Sequence, residues 1–213
     1  MNTVVPYGDR AALVELTGAA EVLPMRAGLI AVAEPGVLSV VPAARTVLVE
    51  FDPALTSLAR LTGIVHQLDL ASQRDLASQR GLAEPSGQDP LLIPVRYDGP
   101  DLAAVAAAAG LSTEQVERIH LDAEYTVQFC GFSPGFGYLT GLDKRLRQPR
   151  LASPRPVVPA GSIAIADGFT GIYPRASPGG WRLIGRTDAV LFDLNREPPA
   201  LLWPGRTVRF VQQ

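Results

Sequence analysis

The sequence predicts an α+β protein in two parts, a small α+β domain over residues 1–85 and a larger β domain over residues 90–213. Three observations predict it. Apolar residues up to about position 68 alternate between strand-like and helix-like spacing. A polar, partly duplicated stretch follows. From Leu91 onward, short apolar runs are broken repeatedly by Gly and Pro, the texture of an all-β barrel or sandwich.

Residues 11–16 form a short apolar strand. Residues 25–33 have helical composition and stop at Pro35-Gly36, a breaker pair. Residues 37–41 and 46–51 are β-branched runs separated by Pro42-Ala43-Ala44-Arg45, which suits a hairpin. Residues 53–68 read as a helix, because Leu55, Leu58, Leu61, Ile64 or Val65, and Leu68 recur at three- and four-residue spacing. The order β, α, β, β, α is that of a split-βαβ, ferredoxin-like half domain, with residues 91–95 as its expected final strand. Between them, Asp-Leu-Ala-Ser-Gln-Arg at 69–74 is repeated letter for letter at 75–80. A structural repeat needs several stacked copies, so two copies of six residues read as a local duplication in a linker. Residues 84–90 read as a solvated loop.

In the second part, residues 101–109 are an alanine-rich helix ended by Gly110, with Asp101 a natural N-cap. Ser112-Thr113-Glu114-Gln115 resembles a capping box opening a helix that reaches His120. Strands are expected at 125–129, within 157–165, and at 171–174, 181–184, 189–192 and 207–211.

The composition, 47% hydrophobic and 19% charged, is that of a globular protein. A formal net charge of -2 gives no reason to expect nucleic acid as a partner. Cys130 is the only cysteine, which excludes an internal disulfide and a Cys-based metal cluster. His66 and His120 lie too far apart to make a zinc motif by themselves, and no metal site is expected. Asp9, Arg10 and Glu15 interrupt the stretch where a signal peptide would be apolar. No apolar run approaches the roughly 20 residues of a membrane-spanning helix. A soluble, cytoplasmic protein with no membrane contact is expected.

The densest chemical signal is Gly131-Phe132-Ser133-Pro134-Gly135-Phe136-Gly137-Tyr138-Leu139. Its glycines allow the backbone to approach a ligand and to turn N–H groups toward an anion. Its rings would supply an apolar wall; the alternative is a tight loop with aromatic plugs. Arg150 and Arg155 each follow a proline, and a guanidinium held this way can clamp a carboxylate or phosphate. Gly161-Ser162 closes a further Pro/Gly turn. Ser177-Pro178-Gly179-Gly180-Trp181 is either another loop with exposed donors or a hairpin anchored by a buried Trp. His120 is placed to act as a general base or oxyanion partner, or else is a satisfied structural residue. Asp98 and Asp101 could serve as a base. No Gly-x-Ser-x-Gly elbow, phosphate loop or dinucleotide loop is present, so a nucleotide would be bound in an unfamiliar way or mainly by another chain.

The run from His120 through Tyr125 and Phe129 into residues 131–139 resembles the central signature of the bacterial 5-oxoprolinase small-subunit family, also called kinase A inhibitor or allophanate hydrolase subunit 1. Pro149-Arg150, Pro154-Arg155, Val158-Pro-Ala-Gly-Ser162, Thr170-Gly-Ile-Tyr-Pro174, Ser177-Pro-Gly-Gly-Trp181 and Ile184-Gly-Arg-Thr187 match it as well, and weaker matches cover the rest of the chain. The resemblance implies a ferredoxin-like N-terminal domain followed by a cyclophilin-like β-barrel. It implies ATP-dependent opening of 5-oxo-L-proline to L-glutamate alongside a larger homologous subunit and a third, hydrolase-like protein. ATP, with Mg, would be shared with or held by the partner subunit. His120 and Asp98 become the catalytic candidates. Phe132, Ser133, Gly135, Phe136, Tyr138, Arg150, Arg155, Gly161, Ser162, Tyr173, Ser177, Gly179, Gly180 and Trp181 become the ligand-binding ones. These scattered groups are expected to converge on one concave surface. Relatives also include an inhibitor of a sensor histidine kinase and parts of urea- or allophanate-processing systems, the two alternative readings. A free-standing prolyl isomerase is disfavoured, because a fold does not carry its function with it. Three residues depart from the family pattern: Phe169 where glutamine is usual, Leu151 where arginine is usual, and Arg206 where aspartate is usual.

Overall fold

Valine-rich strands shape the first half of the computed structural model, which describes residues 2–68 and 89–213. The chain divides into two compact units, Met1–Gln88 and Asp89–Gln213. In the first, β1 (Thr3–Pro6), β2 (Ala11–Glu15), α1 (Val22–Val32), β3 (Val37–Pro42), β4 (Thr46–Phe51) and α2 (Leu58–Gln67) follow one another. The sheet is antiparallel, in the order β1-β2-β4-β3. Helix α2 begins later than its leucine spacing predicts. Ser57 is its N-cap, accepting the Arg60 N–H on its hydroxyl, while Asp52 holds the preceding residues in a turn. Val14, Met25, Leu29, Val47, Val49, Leu61 and Val65 fill the core between sheet and helices.

The expected final strand of this unit is corrected. Leu91–Val95 does not join the first sheet; it pairs in parallel with Thr207–Gln212 in the second unit. Thr3–Pro6 takes the edge beside β2 instead, reached through a short turn containing Gly8 at φ 70°. Closing that turn costs less chain entropy than closing the longer connection to Leu91, by about 0.6 kcal/mol for each doubling of loop length. The duplicated stretch 69–80 and most of the loop 84–90 lie outside the described residues.

The second unit contains β5 (Leu91–Val95), α3 (Leu102–Ala109), α4 (Thr113–Asp122), β6 (Tyr125–Cys130), β7 (Gly137–Thr140), β8 (Arg155–Val158), β9 (Ser162–Ala166), β10 (Phe169–Ile172), β11 (Ser177–Gly179), β12 (Arg182–Arg186) and β13 (Thr207–Gln212). Seven strands form one sheet in the order β12-β9-β10-β7-β6-β13-β5, while β8 and β11 make a separate two-stranded ribbon. Arg96, just past β5, exchanges two backbone hydrogen bonds of 2.9 Å with Arg186 at the end of β12. The sheet therefore returns on itself as a nearly closed barrel.

Local signals account for much of this. Ser112 and Gln115 make both bonds of the capping box that opens α4, and Gly110 ends α3 in the left-handed region. The apolar run 157–165 is two strands, not one, because Pro159-Ala160-Gly161 turns the chain with Gly161 at φ 79°. Residues 189–192 are not a strand; Phe192 makes only an isolated bridge to Ala200. Strands have a period of two, and β9 shows the consequence. Ile163 and Ile165 face the main core with Val105, Val116, Tyr125, Leu139 and Ile172, whereas Ala164 and Ala166 face a second cluster on the opposite side of the sheet. No helix among the described residues is long and apolar enough to cross a membrane.

Candidate functional site

The second cluster is aromatic and gathers most of the sequence candidates. Phe136 and Tyr138 precede and enter β7 two residues apart and so share a face; Leu139 takes the other. Along β10 and the residue after it, Phe169, Gly171 and Tyr173 alternate with Thr170 and Ile172. Gly171 makes room: a Cβ there would lie 2.9 Å from both the Phe136 and Trp181 rings. Phe129 joins this face only because β6 carries a bulge. Val127 pairs with Leu139 but Phe129 with Tyr138, so the extra residue, Gln128, re-aims the ring. It then stacks on Tyr138 at 4.1 Å and 15°. Phe169 meets both rings edge-on at 5.8 Å. This unusual phenylalanine thus extends the stack.

Phe136, Tyr173 and Trp181 form a packed plate, with Phe136 5.4 Å from Tyr173 and 5.6 Å from Trp181. All three are buried, so they support the face and do not line it. Phe132 stands on this plate, 5.3 Å from Phe136 and 6.2 Å from Tyr173, with 59% of its surface exposed. Its backbone is left-handed, at φ 70°, a conformation costly for a bulky residue and often kept for function. Three of the loop's N–H groups are taken up within the loop itself. Those of Gly131, Ser133 and Phe136 bond to Phe136 O, Gly131 O and Ser133 O. The Ser133 and Ser177 hydroxyls are enclosed yet have no hydrogen-bond partner within the protein, unusual for buried polar atoms. Gly179 lies against the Tyr173 hydroxyl, and Gly180 O accepts from Leu151 N–H at 2.7 Å. That bond brings Arg150 to the rim, where its charge is felt at Tyr173.

The two Pro-Arg arginines have different fates. Arg155 donates to Asp101 Oδ1 at 2.6 Å and to Trp181 O at 3.4 Å, while Asp101 Oδ2 accepts Leu183 N–H at 2.7 Å. Asp101 occupies the N-cap position of α3 but makes no side-chain cap bond; its carboxylate clamps β12 instead. Arg155 is therefore a brace rather than a ligand clamp. Arg150 is 60% exposed and has only a long, 4.0 Å approach to Asp167. Gly161 and Ser162 are packing residues. A side chain at Gly161 would strike the Thr187 carbonyl, and Gly161 N–H and O bond Tyr173 O and Thr187 N; Ser162 is buried. Gly135 is pressed against Leu191 and Phe192.

His120 is not brought to this face. It projects into the main core beside Tyr125 and Phe210 with no exposed surface. Its Nδ1 lies 2.7 Å from the Tyr97 hydroxyl and its Nε2 3.3 Å from Thr170 Oγ1, so one ring nitrogen donates and the other accepts. Desolvation lowers its pKa to about 3, and burial raises that of Tyr97. The ring stays neutral with both nitrogens satisfied, separated from the aromatic face by β10. Asp98 is likewise elsewhere. It pairs with Arg186 at 2.7 Å, at the opposite end of β12 from Trp181. The structure brings together the rings, Arg150, Arg155 and the Ser177–Trp181 turn; His120 and Asp98 lie elsewhere, and Gly161 and Ser162 are packing residues. Sequence reasoning does not reveal Asp101 and Asp167 as partners of the arginines; only their polar character among apolar neighbours could flag them.

The face offers half-buried rings with Arg150 and Arg182 at its edge. It can hold a small, partly apolar anion. Among the described residues it pairs no nucleophile with a base, and no group of three or more His, Cys, Asp or Glu could hold a metal ion.

The model of the family described as carboxyltransferase domain, subdomain C and D, matches residues 2–202. A 5-oxoprolinase subunit of Escherichia coli O157:H7 is 56% identical over 124 residues, 57% of each chain. The corresponding 5-oxoprolinase subunit of Bacillus subtilis (strain 168) is 50% identical over 123 residues, 56% of this chain and 51% of the relative. The matched stretch thus spans little more than half the length of these curated relatives. The crystal structure of TTHA0988 superimposes with a TM-score of 0.77 at 36% identity, covering 96% of this chain and 40% of that one. Kluyveromyces lactis urea carboxylase superimposes with a TM-score of 0.68 at 19% identity over 100% of this chain and 22% of its own, a likeness of fold alone.

Proposed function

Because the chain belongs to the carboxyltransferase subdomain C and D family, we propose that it is the small subunit of an ATP-dependent 5-oxoprolinase. It would open 5-oxo-L-proline to L-glutamate together with a larger homologous subunit and a third, hydrolase-like protein. The observation that carries this reading is the 56% identity to the Escherichia coli 5-oxoprolinase subunit. In fold terms, the first unit is read as ferredoxin-like with its edge strand supplied by the N-terminus. The second is read as cyclophilin-like, supported by the ring of strands closed at Arg96 and Arg186. A reaction that consumes ATP fits a complex working in the cytoplasm.

A lactam carbonyl is a poor electrophile, and phosphorylating its oxygen turns it into a leaving group. The aromatic face does not itself fit a triphosphate. The N–H groups of Gly131, Ser133 and Phe136 are bonded internally, Arg155 is committed to Asp101, and the Arg182 guanidinium is bonded to Pro149 O. ATP and its magnesium are therefore assigned to the partner subunit. This chain's own contribution is to hold the lactam, with Arg150 as a cation and Phe129, Tyr138 and Phe169 as walls. His120 and Asp98, removed from this face, act on the fold.

The test is reconstitution. The purified chain should hydrolyse no ATP with 5-oxoproline, and adding the larger subunit and the third protein should produce turnover. Robust hydrolysis by this chain alone, or none from the full set, would sink the proposal. Within the active set, Arg150→Ala should lower activity by roughly ten- to a hundredfold with folding intact, the loss expected for one charge-assisted contact.

A further inference from the structure

Two loops of the second unit meet back to back. The first carries Phe132; the second runs from Asp188 to Ala200. They join where Gly135 fits against Leu191 and Phe192, with no space for a side chain: a Cβ there would lie 2.7 Å from the Phe192 Cβ. Each loop turns large apolar side chains outward. Phe132 is 59% exposed, Val190 60% and Leu194 81%. Single exposed apolar residues are ordinary, but apolar groups concentrated on two abutting loops mark an interaction surface.

Neither loop is loosely held. Phe132 is fixed in a left-handed conformation with its ring edge-on to Phe136 and Tyr173. The second loop is stapled from inside by Arg196, which donates to Val190 O at 3.0 Å, Pro199 O at 2.8 Å and Pro198 O at 3.4 Å. Asp193 N–H bonds Pro199 O, Asp193 Oδ1 caps Asn195, and Leu201 N–H bonds Leu191 O. A loop ordered before binding loses little entropy on docking. The charges also have a pattern. Arg196 turns its guanidinium onto the loop's own carbonyls, while Asp188 and Glu197 are exposed at its flanks. The surface is an apolar tip with an acidic rim.

We infer that Phe132, Val190 and Leu194 form the docking surface for a partner subunit, whose complementary face is an apolar recess edged by lysine or arginine. The inference rests on the multi-subunit reading above. The occupant is a different polypeptide rather than a second copy, because an acidic rim opposes itself across a two-fold axis. The same region occupies only 40% of the TTHA0988 chain, so in that protein a further stretch of polypeptide is permanently attached to a unit of this kind.

The experiment measures binding of the full chain to the larger subunit by biolayer interferometry, with light scattering for oligomeric state. Phe132→Ser combined with Leu194→Ser should weaken the pair at least tenfold while the melting temperature of the free chain stays within about 2 °C, as surface changes usually do. Asp188→Lys with Glu197→Lys should slow association and remove most of its salt dependence. Wild-type affinity in both variants would overturn the inference. So would a self-associating wild-type chain that the first variant renders monomeric, since the occupant would then be a second copy. A raised KM for 5-oxoproline at unchanged subunit affinity would reassign Phe132 to the substrate wall. A pair that forms and responds to these variants, yet supports no 5-oxoproline-dependent ATP hydrolysis, would fell the enzymatic reading and leave the docking surface standing. A wild-type chain that binds no larger subunit would overturn both.

Discussion

The His120 ring, enclosed by Tyr97, Tyr125, Thr170 and Phe210, can be protonated only against desolvation. Its folded pKa, about 3, lies below the ordinary value near 6.5, so the native state binds fewer protons than the unfolded one. The resulting stability is complete above pH 6.5 and is lost as pH falls toward 3. At pH 5 the loss is about 2 kcal/mol, measurable as a drop in melting temperature between pH 7 and 5. His120→Gln should flatten that dependence and leave turnover per folded molecule within about twofold. A large loss of turnover in a well-folded His120→Gln protein would restore the ring to catalysis. Gly171→Ala makes a second residue-scale case. Its Cβ would lie 2.9 Å from both the Phe136 and Trp181 rings, and overpacking of this kind costs about 1–3 kcal/mol. Thermal melts should show the loss, and the Trp181 fluorescence maximum should move with it.

At the scale of elements, the ion pair that joins α3, β8 and β12 decides how firmly the aromatic plate is backed. Asp101→Ala strands Arg155 and the Leu183 N–H at once, and hydrogen bonds to a charged group contribute about 1.5–3 kcal/mol each. Asp98→Ala removes an exposed pair with Arg186 and should cost under about 1 kcal/mol. Urea melts of the two variants should separate clearly; equal costs would contradict this division of roles. The two pairs also mark what could be read without coordinates. The capping box at Ser112, the 37–51 hairpin and the Gly110 stop were all legible, because each is settled by neighbours a few residues away. Arg150 and Arg155 carry the same Pro-Arg signature, and only Asp101, 54 residues from Arg155, tells them apart. Phe129 faces Tyr138 through a one-residue bulge that leaves no mark on the apolar periodicity. Thr3–Pro6 displaced Leu91–Val95 from the first sheet by a competition between turns, which a strand pattern cannot express. The rings, Arg150 and the Ser177 turn could be singled out because their chemistry is visible letter by letter; the sidedness of His120 is not.

For the whole molecule, the two clusters of buried residues on either side of the undescribed stretch predict two fragments under limited proteolysis, split between Asp69 and Asp89. Even cleavage throughout, without a stable fragment, would contradict independent cores. Within the second unit the joints around the barrel are unequal. On one side β5 follows β13 through five paired residues, Leu91 to Val95. On the other, Arg96 and Arg186 form a single bridge, followed by irregular bonds from Gly99 N–H to Ile184 O and from Asp101 N–H to Leu183 O, with backbone against backbone at Gly99 and Gly185, where any side chain would collide. A seam made of one bridge and irregular crossings, with no continuous ladder, opens before the four-residue ladders of β9. In native-state hydrogen exchange, the amides of Arg96 and Arg186 should lose deuterium protection ahead of those in β9 and β10. Replacing Gly185 with alanine should quicken that opening and turn a rare slit in the wall into a common one.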